Sequence, residues 1–298
     1  MLPLDKNQPQ IGFAGLGHLG SALAQRLKDQ GWSLKVWNRT PGKVTALGLP
    51  AEKTPADLAA NCDVVMSCLA DDTAVKAVYL GPNGIFSKTK PGLVVLEMST
   101  ISPEVSGELH AKAQALGIQM LDLPVLGSTP AVKAGAVTLV AGGTKELFDA
   151  CVPLYESLAK QWFFMGPAGS GSRMKLVVNL LLGVEMEAIA ESIALGKSLD
   201  INYEILLSVL SKTAVIAPAL LGKFDKILKE DYSPEFPLRL MNKDLGLVLK
   251  EAREKGLPLP AVEAAQRVTQ RASKDHGELD LSVIASLPVK IARENPAS

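Results

Sequence analysis

The 298-residue chain carries 31 basic and 31 acidic side chains, so its net charge is zero and excludes bulk attraction to nucleic acid or an anionic membrane. Hydrophobic residues make up 47% and aromatic residues 5%, which is typical of an α/β protein, and the length suits two domains. Three cysteines without C-x-x-C spacing and three histidines predict neither disulfides nor a metal site. No apolar run reaches membrane-spanning length, and the first ten residues lack signal-peptide features, so we expect a cytoplasmic protein.

A glycine-rich turn follows the first predicted strand, residues 11–14. The turn consists of Gly15, Leu16, Gly17, His18, Leu19 and Gly20. A helix predicted over residues 21–30 and a second strand over 34–37 come next. In this setting the glycines allow a sharp turn, an approach of backbone N–H groups to a pyrophosphate, and close helix packing. The segment therefore predicts a dinucleotide-binding βαβ unit.

The residues after the second predicted strand favour a phosphorylated dinucleotide. An acidic residue there would bind the ribose hydroxyls of NAD, but the chain has Asn38, Arg39 and Thr40. Arg39 can form a forked pair with a 2′-phosphate, and Asn38 brings no repulsive charge. We therefore expect NADP(H) as cofactor, although Arg39 could also be an ordinary solvated turn residue.

Further strands and helices alternate through the first half of the chain. Apolar runs predict strands over 62–69, 94–98, 120–122 and 136–142, and helical patterns cover 41–47, 73–79, 103–116 and 145–159. This alternation predicts an α/β fold with a Rossmann-type, doubly wound parallel sheet. Functional loops should follow the carboxyl ends of the strands, where Leu69 joins the predicted cofactor-binding residues.

Strand signals nearly vanish after a glycine-rich joint at residues 166–171. Helices are predicted over 172–199, 203–211, 217–229, 238–255, 260–275 and 281–293. The predicted domains are a dinucleotide-binding domain over 1–168 and a helical substrate-binding and dimerisation domain over 169–298. The first of these helices is apolar on nearly every side, which suggests burial against neighbours or a partner subunit.

Five stretches together resemble the β-hydroxyacid dehydrogenases. They are GLGHLG (15–20), EMSTISP (97–103), DLPVLGS (122–128), GSGSRMKLVVN (169–179) and FPLRLMNKDL (236–245). The family includes 3-hydroxyisobutyrate dehydrogenase and NADPH-dependent glyoxylate and succinic semialdehyde reductases. The resemblance implies a small carbonyl or hydroxyacid substrate and a homodimer or homotetramer.

The resemblance assigns the proton-transfer role to Lys175. As a lone helical lysine it would be expected to extend its head to solvent. In the family, the matching lysine exchanges a proton with the substrate oxygen, which suits carbonyl reduction because an ammonium both donates a proton and stabilises an alkoxide. Burial would bring its pKa down from the ordinary ~10.4. Asn179 lies one turn further on the same helix face and is a predicted substrate-binding residue.

The resemblance also implies the remaining site residues. Thr100 would contact nicotinamide and substrate, although it or Ser102 could instead cap the next helix. Gly127 and Ser128 could receive a substrate carboxylate, but Leu126 replaces the serine that the family usually has. Phe236 would close the substrate pocket, or else be a core residue. Lys243 would reach the cofactor and Asp244 would orient groups around Lys175, unless they form a charged pair on an exposed helix face.

Three alternatives to an NADPH-dependent reductase stay open. One is NAD-dependent oxidation of a 3-hydroxyisobutyrate-type hydroxyacid. Another is imine reduction, although imine reductases tend to replace the family lysine. The last is a non-catalytic NADPH-binding module, like the dehydrogenase-like domain of a chromatin-associated relative that lacks the lysine.

Overall fold

The computed structural model describes residues 9–287 and contains two compact units, which meet in sequence between Lys175 and Leu176. The predicted boundary between residues 168 and 169 lies slightly earlier and stays a prediction. Residues 1–8, which form most of the N-terminal segment expected not to be a signal peptide, lie outside the described part of the chain.

Unit 1 is built on an eight-stranded sheet. Its strands are β1 (Ile11–Ala14), β2 (Leu34–Trp37), β3 (Val64–Ser67), β4 (Val94–Glu97), β5 (Gln119–Asp122), β6 (Val125–Leu126), β7 (Val137–Gly142) and β8 (Ala159–Gly166). Their order is β2-β1-β3-β4-β5-β7-β6, and β8 pairs with β7. The first five strands in this order are parallel, which places their carboxyl ends along one edge.

Helices cover both faces of this sheet. They are α1 (His18–Asp29), α2 (Gly42–Thr45), α3 (Pro55–Asn61), α4 (Asp72–Leu80), α5 (Pro103–Ala115), α6 (Thr129–Lys133), α7 (Lys145–Ala150) and α8 (Val152–Leu158). Because strand side chains alternate, Val64 and Met66 join one core with α1, α7 and α8, whereas Val65 joins the other with α3, α4 and α5. The doubly wound prediction is confirmed in this arrangement.

The sheet departs from the prediction around β7. This strand is antiparallel to β5 and β6, so the sheet is predominantly and not wholly parallel. Strands β6 and β8 and helices α3 and α6 were not predicted from the sequence. The helix predicted over 145–159 is wrong as one element, because it breaks at Cys151, ahead of Pro153, and its last residue begins β8.

The described residues of unit 2 are helical, as predicted. Helix α9 (Ser170–Ser198) starts in unit 1 and continues into unit 2, followed by α10 (Tyr203–Leu210), α11 (Leu221–Lys229), α12 (Leu238–Glu254) and α13 (Pro260–His276). The predicted last helix is a short 3₁₀ helix over Leu281–Ser286, and residues 288–293 of that prediction lie outside the described residues. No helix within residues 9–287 has both the length and the apolar character needed to cross a membrane.

Candidate functional site

The turn after β1 has the geometry of a phosphate cradle. Gly15 has a φ of +95°, and an added Cβ would clash with the carbonyl oxygen of Cys68. A Cβ at Gly20 would clash with the carbonyl oxygen of Gly15, so the helix packs directly on the turn. At Gly17, by contrast, a Cβ would meet no described atom within 4 Å. Crowding within the protein therefore explains Gly15 and Gly20, whereas the open backbone at Gly17 fits a ligand that approaches it closely.

Helix α1 offers unpaired N–H groups to this cradle. Gly17 is its N-cap and supplies no side-chain hydrogen bond, and the first turn has no acidic residue. The N–H groups of a first turn lack intrahelical acceptors and carry the positive end of the helix dipole. Gly17 and His18 are exposed, so the described residues fit the pyrophosphate of a dinucleotide at this point.

Asn38 and Arg39, which directly follow β2, have different surroundings. The Asn38 Oδ1 atom accepts the Leu16 N–H at 2.8 Å, and its Nδ2 donates to the Thr40 carbonyl at 3.0 Å. Asn38 thus ties the β2 loop to the glycine turn. Arg39 and Thr40 are exposed beside it, so the Arg39 guanidinium can meet a phosphate from solvent.

A buried polar cluster joins the loops that follow β3 and β4. The Glu97 carboxylate accepts hydrogen bonds from the Ser67 hydroxyl and from the Ser99 N–H and hydroxyl. The Ser99 oxygen in turn accepts the Leu69 N–H at 2.7 Å. Burial raises the pKa of Glu97 to about 7, against the opposing effect of these hydrogen bonds. This cluster fixes Leu69 and Ser99, the residue before Thr100, at the sheet edge predicted to bind nicotinamide.

Thr100 is not the cap of the following helix. The Ser102 hydroxyl accepts the Val105 N–H at 3.2 Å and is the N-cap of α5. Thr100 is only partly buried. Of the two alternatives for Thr100, capping is therefore wrong, and contact with cofactor and substrate stays a prediction.

The loop after β6 exposes backbone where a carboxylate could bind. Gly127 is exposed with a φ of +153°, and a Cβ there would lie 2.7 Å from Val137 Cγ1. Ser128 is the N-cap of α6 but makes no side-chain capping bond. Leu126 is partly buried beside them, so an apolar side chain stands where the family usually has serine.

Lys175 does not extend into solvent. The side chain is buried, with 9% exposure, and its Nζ donates to the Val125 carbonyl at 2.8 Å. Its helix is held where it begins, because the Asp122 carboxylate accepts the N–H groups of Gly169 at 2.8 Å and Ser172 at 2.7 Å. Within unit 1 the amine therefore contacts β6, the strand that directly precedes Gly127 and Ser128 in the sequence.

Unit 2 has a polar cluster of its own. Asn179 Nδ2 donates to Asp244 Oδ2 at 2.5 Å, and Lys243 Nζ lies 2.7 Å from Asp244 Oδ1. Lys243 and Asp244 therefore form a charged pair, but Asp244 is 1% exposed, so the pair does not lie on an exposed helix face. Phe236 is partly buried and packs against both apolar cores of unit 2. The expectation that Phe236 closes the substrate pocket stays a prediction.

Sequence reasoning missed Asp122 and Ser99 as members of these clusters. Both follow or end a parallel strand, at the edge where ligands bind in such sheets, so position alone could have marked them. It also missed Asp280, whose buried Oδ2 accepts the N–H groups of Glu235 and Phe236 and the ammonium of Lys223.

The doubly wound sheet and the open glycine turn of unit 1 together define a dinucleotide-binding protein. Residues 10–166 match the family model for the NAD binding domain of 6-phosphogluconate dehydrogenase. Residues 169–287 match that described as NAD-binding of NADP-dependent 3-hydroxyisobutyrate dehydrogenase. The chain belongs to the 3-hydroxyisobutyrate dehydrogenase-like family of β-hydroxyacid dehydrogenases, which are NAD(P)-dependent oxidoreductases acting on CH–OH groups.

Individual relatives span much of the chain. Glyoxylate/succinic semialdehyde reductase 1 of Arabidopsis thaliana is 31% identical over 96% of this chain and 100% of its own length. Cytokine-like nuclear factor N-PAC of Xenopus tropicalis is 32% identical over 95% of this chain, which spans only 53% of that protein. A crystal structure of 3-hydroxyisobutyrate dehydrogenase from Salmonella typhimurium has a TM-score of 0.86 at 27% identity, covering 94% of this chain and 100% of that one.

Proposed function

We propose that the protein is an NADPH-dependent reductase of a small aldehyde or keto acid, such as glyoxylate or succinic semialdehyde. The observation that carries the proposal is the Lys175 amine. Lys175 lies in the first turns of α9, is buried, and donates a hydrogen bond to the Val125 carbonyl of β6. A glyoxylate/succinic semialdehyde reductase that matches over its full length supports this choice of substrate class.

Lys175 is the proton donor in this reaction. When bound, the reduced nicotinamide supplies a hydride, and thus two electrons, to the carbonyl carbon and is left oxidised. As the carbon–oxygen π bond breaks, its electron pair moves to the oxygen, which takes a proton from the Lys175 ammonium and becomes a hydroxyl. Lys175 regains a proton from solvent, so the balance is one aldehyde, one NADPH and one proton for one alcohol and one NADP⁺.

The residues of unit 1 supply most of the proposed binding contacts. The turn from Gly15 to Gly20 holds the pyrophosphate, Arg39 holds the 2′-phosphate, and Leu69 and Thr100 contact the nicotinamide half. Thr100 also contacts the substrate, whose carboxylate accepts hydrogen bonds from Gly127 and Ser128. We assign substrate-binding roles to Asn179, Phe236 and Asp244 of unit 2, and a cofactor-binding role to Lys243.

A second candidate runs in the opposite direction and is the oxidation of a 3-hydroxyisobutyrate-type hydroxyacid with NAD. The similarity to the Salmonella dehydrogenase structure favours it. Deprotonated Lys175 would then act as the base that takes the hydroxyl proton. The two candidates differ in cofactor and direction and share their catalytic residue.

We also propose that the protein forms a homo-oligomer through α9. The side chains of Val177, Leu181, Ala188, Ser192 and Leu195, with Leu199 just beyond the helix end, are exposed and lie within about 60° around the helix axis. The stripe runs for roughly 30 Å at 1.5 Å per residue. Apart from Ser192, the stripe is apolar. A soluble monomer rarely exposes so long a stripe of this kind, and a second copy of the chain would cover it.

A screen that follows NADPH absorbance tests the proposed activity. Purified protein is mixed with NADPH or NADH and a panel of small aldehydes and keto acids, and with NAD or NADP and the matching hydroxyacids. We expect the highest kcat/KM for an aldehyde or keto acid with NADPH. Preference for a hydroxyacid with NAD would favour the second candidate, and NADPH binding without turnover of any compound would contradict both.

A further inference from the structure

We propose that Asp122 is a positioning residue, which fixes the start of α9 and thereby aims the Lys175 amine and favours its protonated form. The inference rests on the proposed role of Lys175. Asp122 ends β5 and is 1% exposed, and its two carboxylate oxygens accept different N–H groups of the helix start, Gly169 and Ser172. Asp122 thus accepts N–H groups at the start of α9 as an N-cap side chain would, although it lies about 50 positions earlier in the chain.

The helix start lies directly against the backbone around Asp122, with no space for a side chain between them. A Cβ at Gly171 would lie 2.7 Å from the Asp122 carbonyl oxygen and 2.8 Å from that of Val140. A Cβ at Gly142 would lie 2.5 Å from Asp122 Oδ1. The backbone of α9 therefore rests directly on the ends of β5 and β7, and the carboxylate is enclosed by it.

The same stretch of chain holds both the helix and the amine. Val125, three residues after Asp122, accepts the Lys175 Nζ–H and pairs with Leu139 of β7. Asp122 is anchored by pairing with Glu97 on β4 and Gly142 on β7. A rotation or slide of α9 would have to break the bonds to Asp122 and the bond to Val125 together, so the direction of the amine follows from the position of the carboxylate.

The charge of Asp122 also acts on Lys175. A carboxylate at the start of a helix offsets the positive end of its dipole, which otherwise disfavours a cation in the first turns. Among the described residues, two other titratable groups act on Asp122: His110 on α5, whose Nε2 lies 3.6 Å from Asp122 Oδ1, and Glu97 on β4. Within residues 9–287 neither of them bonds to the Gly169 or Ser172 N–H, so the carboxylate in direct contact with the helix start is that of Asp122.

The isosteric change Asp122→Asn removes this charge. It also replaces one of the two accepting oxygens with an NH₂ group, which cannot accept the helix N–H that it faces. We expect kcat for reduction to fall at least tenfold and the Kd for NADPH to change less than twofold. The alkaline limb of kcat should move to lower pH, because Lys175 loses its proton more easily. Asp71→Asn is the matched control, since Asp71 caps α4, which carries no proposed catalytic residue, and it should leave the limb in place.

A direct titration of the amine tests Asp122 without relying on turnover. The rate at which acetic anhydride modifies Lys175, followed by mass spectrometry across a pH series, reports the amine's protonation. We expect the midpoint to lie lower in Asp122→Asn than in the wild type. If Asp122→Asn does not fold, Asp122→Ser keeps one acceptor in a smaller side chain and is expected to shift the midpoint the same way.

A double-mutant cycle separates this inference from the proposed function. In a Lys175→Met background, Asp122→Asn should cost no further activity, because it acts through the amine. An unchanged midpoint together with more than half of the wild-type kcat would overturn the role of Asp122. Full activity of Lys175→Met alone would instead contradict the proposed function, and the titration midpoint would still decide whether Asp122 controls the amine.

Discussion

At the scale of single residues, the end of β2 shows how two neighbouring side chains can have separate roles. Asn38 hydrogen-bonds to the backbone of the glycine turn and of the loop after β2, so it stabilises both of these segments. Arg39 is exposed and makes no ion pair within residues 9–287, so a change there should leave the fold intact. The cofactor preference can therefore be tested at Arg39 alone.

Arg39→Asp should reverse the preference between phosphorylated and unphosphorylated cofactor. The substitution removes a forked partner for the 2′-phosphate and places a carboxylate where it repels that group. We expect the ratio of kcat/KM for NADPH to that for NADH to fall at least tenfold, measured with one aldehyde at fixed pH. Arg271→Asp, at an exposed arginine on α13, should leave the ratio unchanged. An unchanged ratio in Arg39→Asp would contradict the assignment of Arg39.

At the scale of elements, the sequence predicted those whose signals are local. The βαβ unit follows from an apolar run, glycine spacing and helical periodicity, all within residues 11–37, and the structure has it with the predicted strand bounds. Strand β8 was not predicted, although Trp162 to Met165 form an apolar run, because so short a run does not distinguish a strand from part of a helix. The antiparallel direction of β7 depends on its pairing with β5 and β6, which a local sequence pattern cannot predict.

The candidate site could be predicted only in part, for the same reason. Lys175 and Asn179 share a helix face, which periodicity shows. The contacts of Lys175 with Val125 and of Asp122 with Gly169 join residues about 50 positions apart, so they depend on tertiary packing. The roles of Phe236 and Lys243 came from resemblance alone.

Helix α9 carries a partly buried acid, Glu187, whose titration should affect stability. Burial, and secondly the charge of Glu191, raises the pKa of Glu187 to about 7, and its Oε2 has no hydrogen-bond partner among the described residues. Because this folded-state pKa exceeds the unfolded value, the contribution of Glu187 to stability is complete below about pH 4 and is lost as the pH rises through 7.

Glu187→Gln should therefore stabilise the protein at pH 8 and much less at pH 4. The amide stays neutral at both values and avoids burial of a charge. The measurement is urea unfolding of variant and wild type at each pH, and the quantity compared is the difference in the free energy of unfolding. Glu254→Gln, at an exposed acid on α12, should show the same small difference at both values. Equal differences for Glu187→Gln at both values would contradict its raised pKa.

At the scale of the whole molecule, the stripe on α9 is a feature that residues 9–287 of one chain leave uncovered. The sequence predicted a helix buried on nearly every side, whereas Leu181 is 64% and Leu195 60% exposed in the single chain. The proposed second copy reconciles the two, because it would bury the stripe in the assembly.

Charges placed on the stripe should dissociate the assembly. Leu181→Glu with Leu195→Glu puts two carboxylates into the proposed interface, where burial would be costly. Light scattering coupled to size-exclusion chromatography should give an oligomeric mass for the wild type and a monomeric mass for the double variant. Leu116→Glu, at an exposed leucine in unit 1, should keep the wild-type mass. A monomeric wild type, or an unchanged mass in the double variant, would contradict the interface.

The role of the Lys175 amine is tested most directly by Lys175→Met, with Lys197→Met on the exposed part of the same helix as control. The measurement is kcat for aldehyde reduction together with the Kd for NADPH by fluorescence titration. Because general acid catalysis contributes about 10²–10⁴-fold, we expect kcat to fall by at least about 10²-fold in Lys175→Met. NADPH should bind within twofold of the wild type, and Lys197→Met should react normally. A Lys175→Met protein that keeps most of the wild-type kcat would contradict the account.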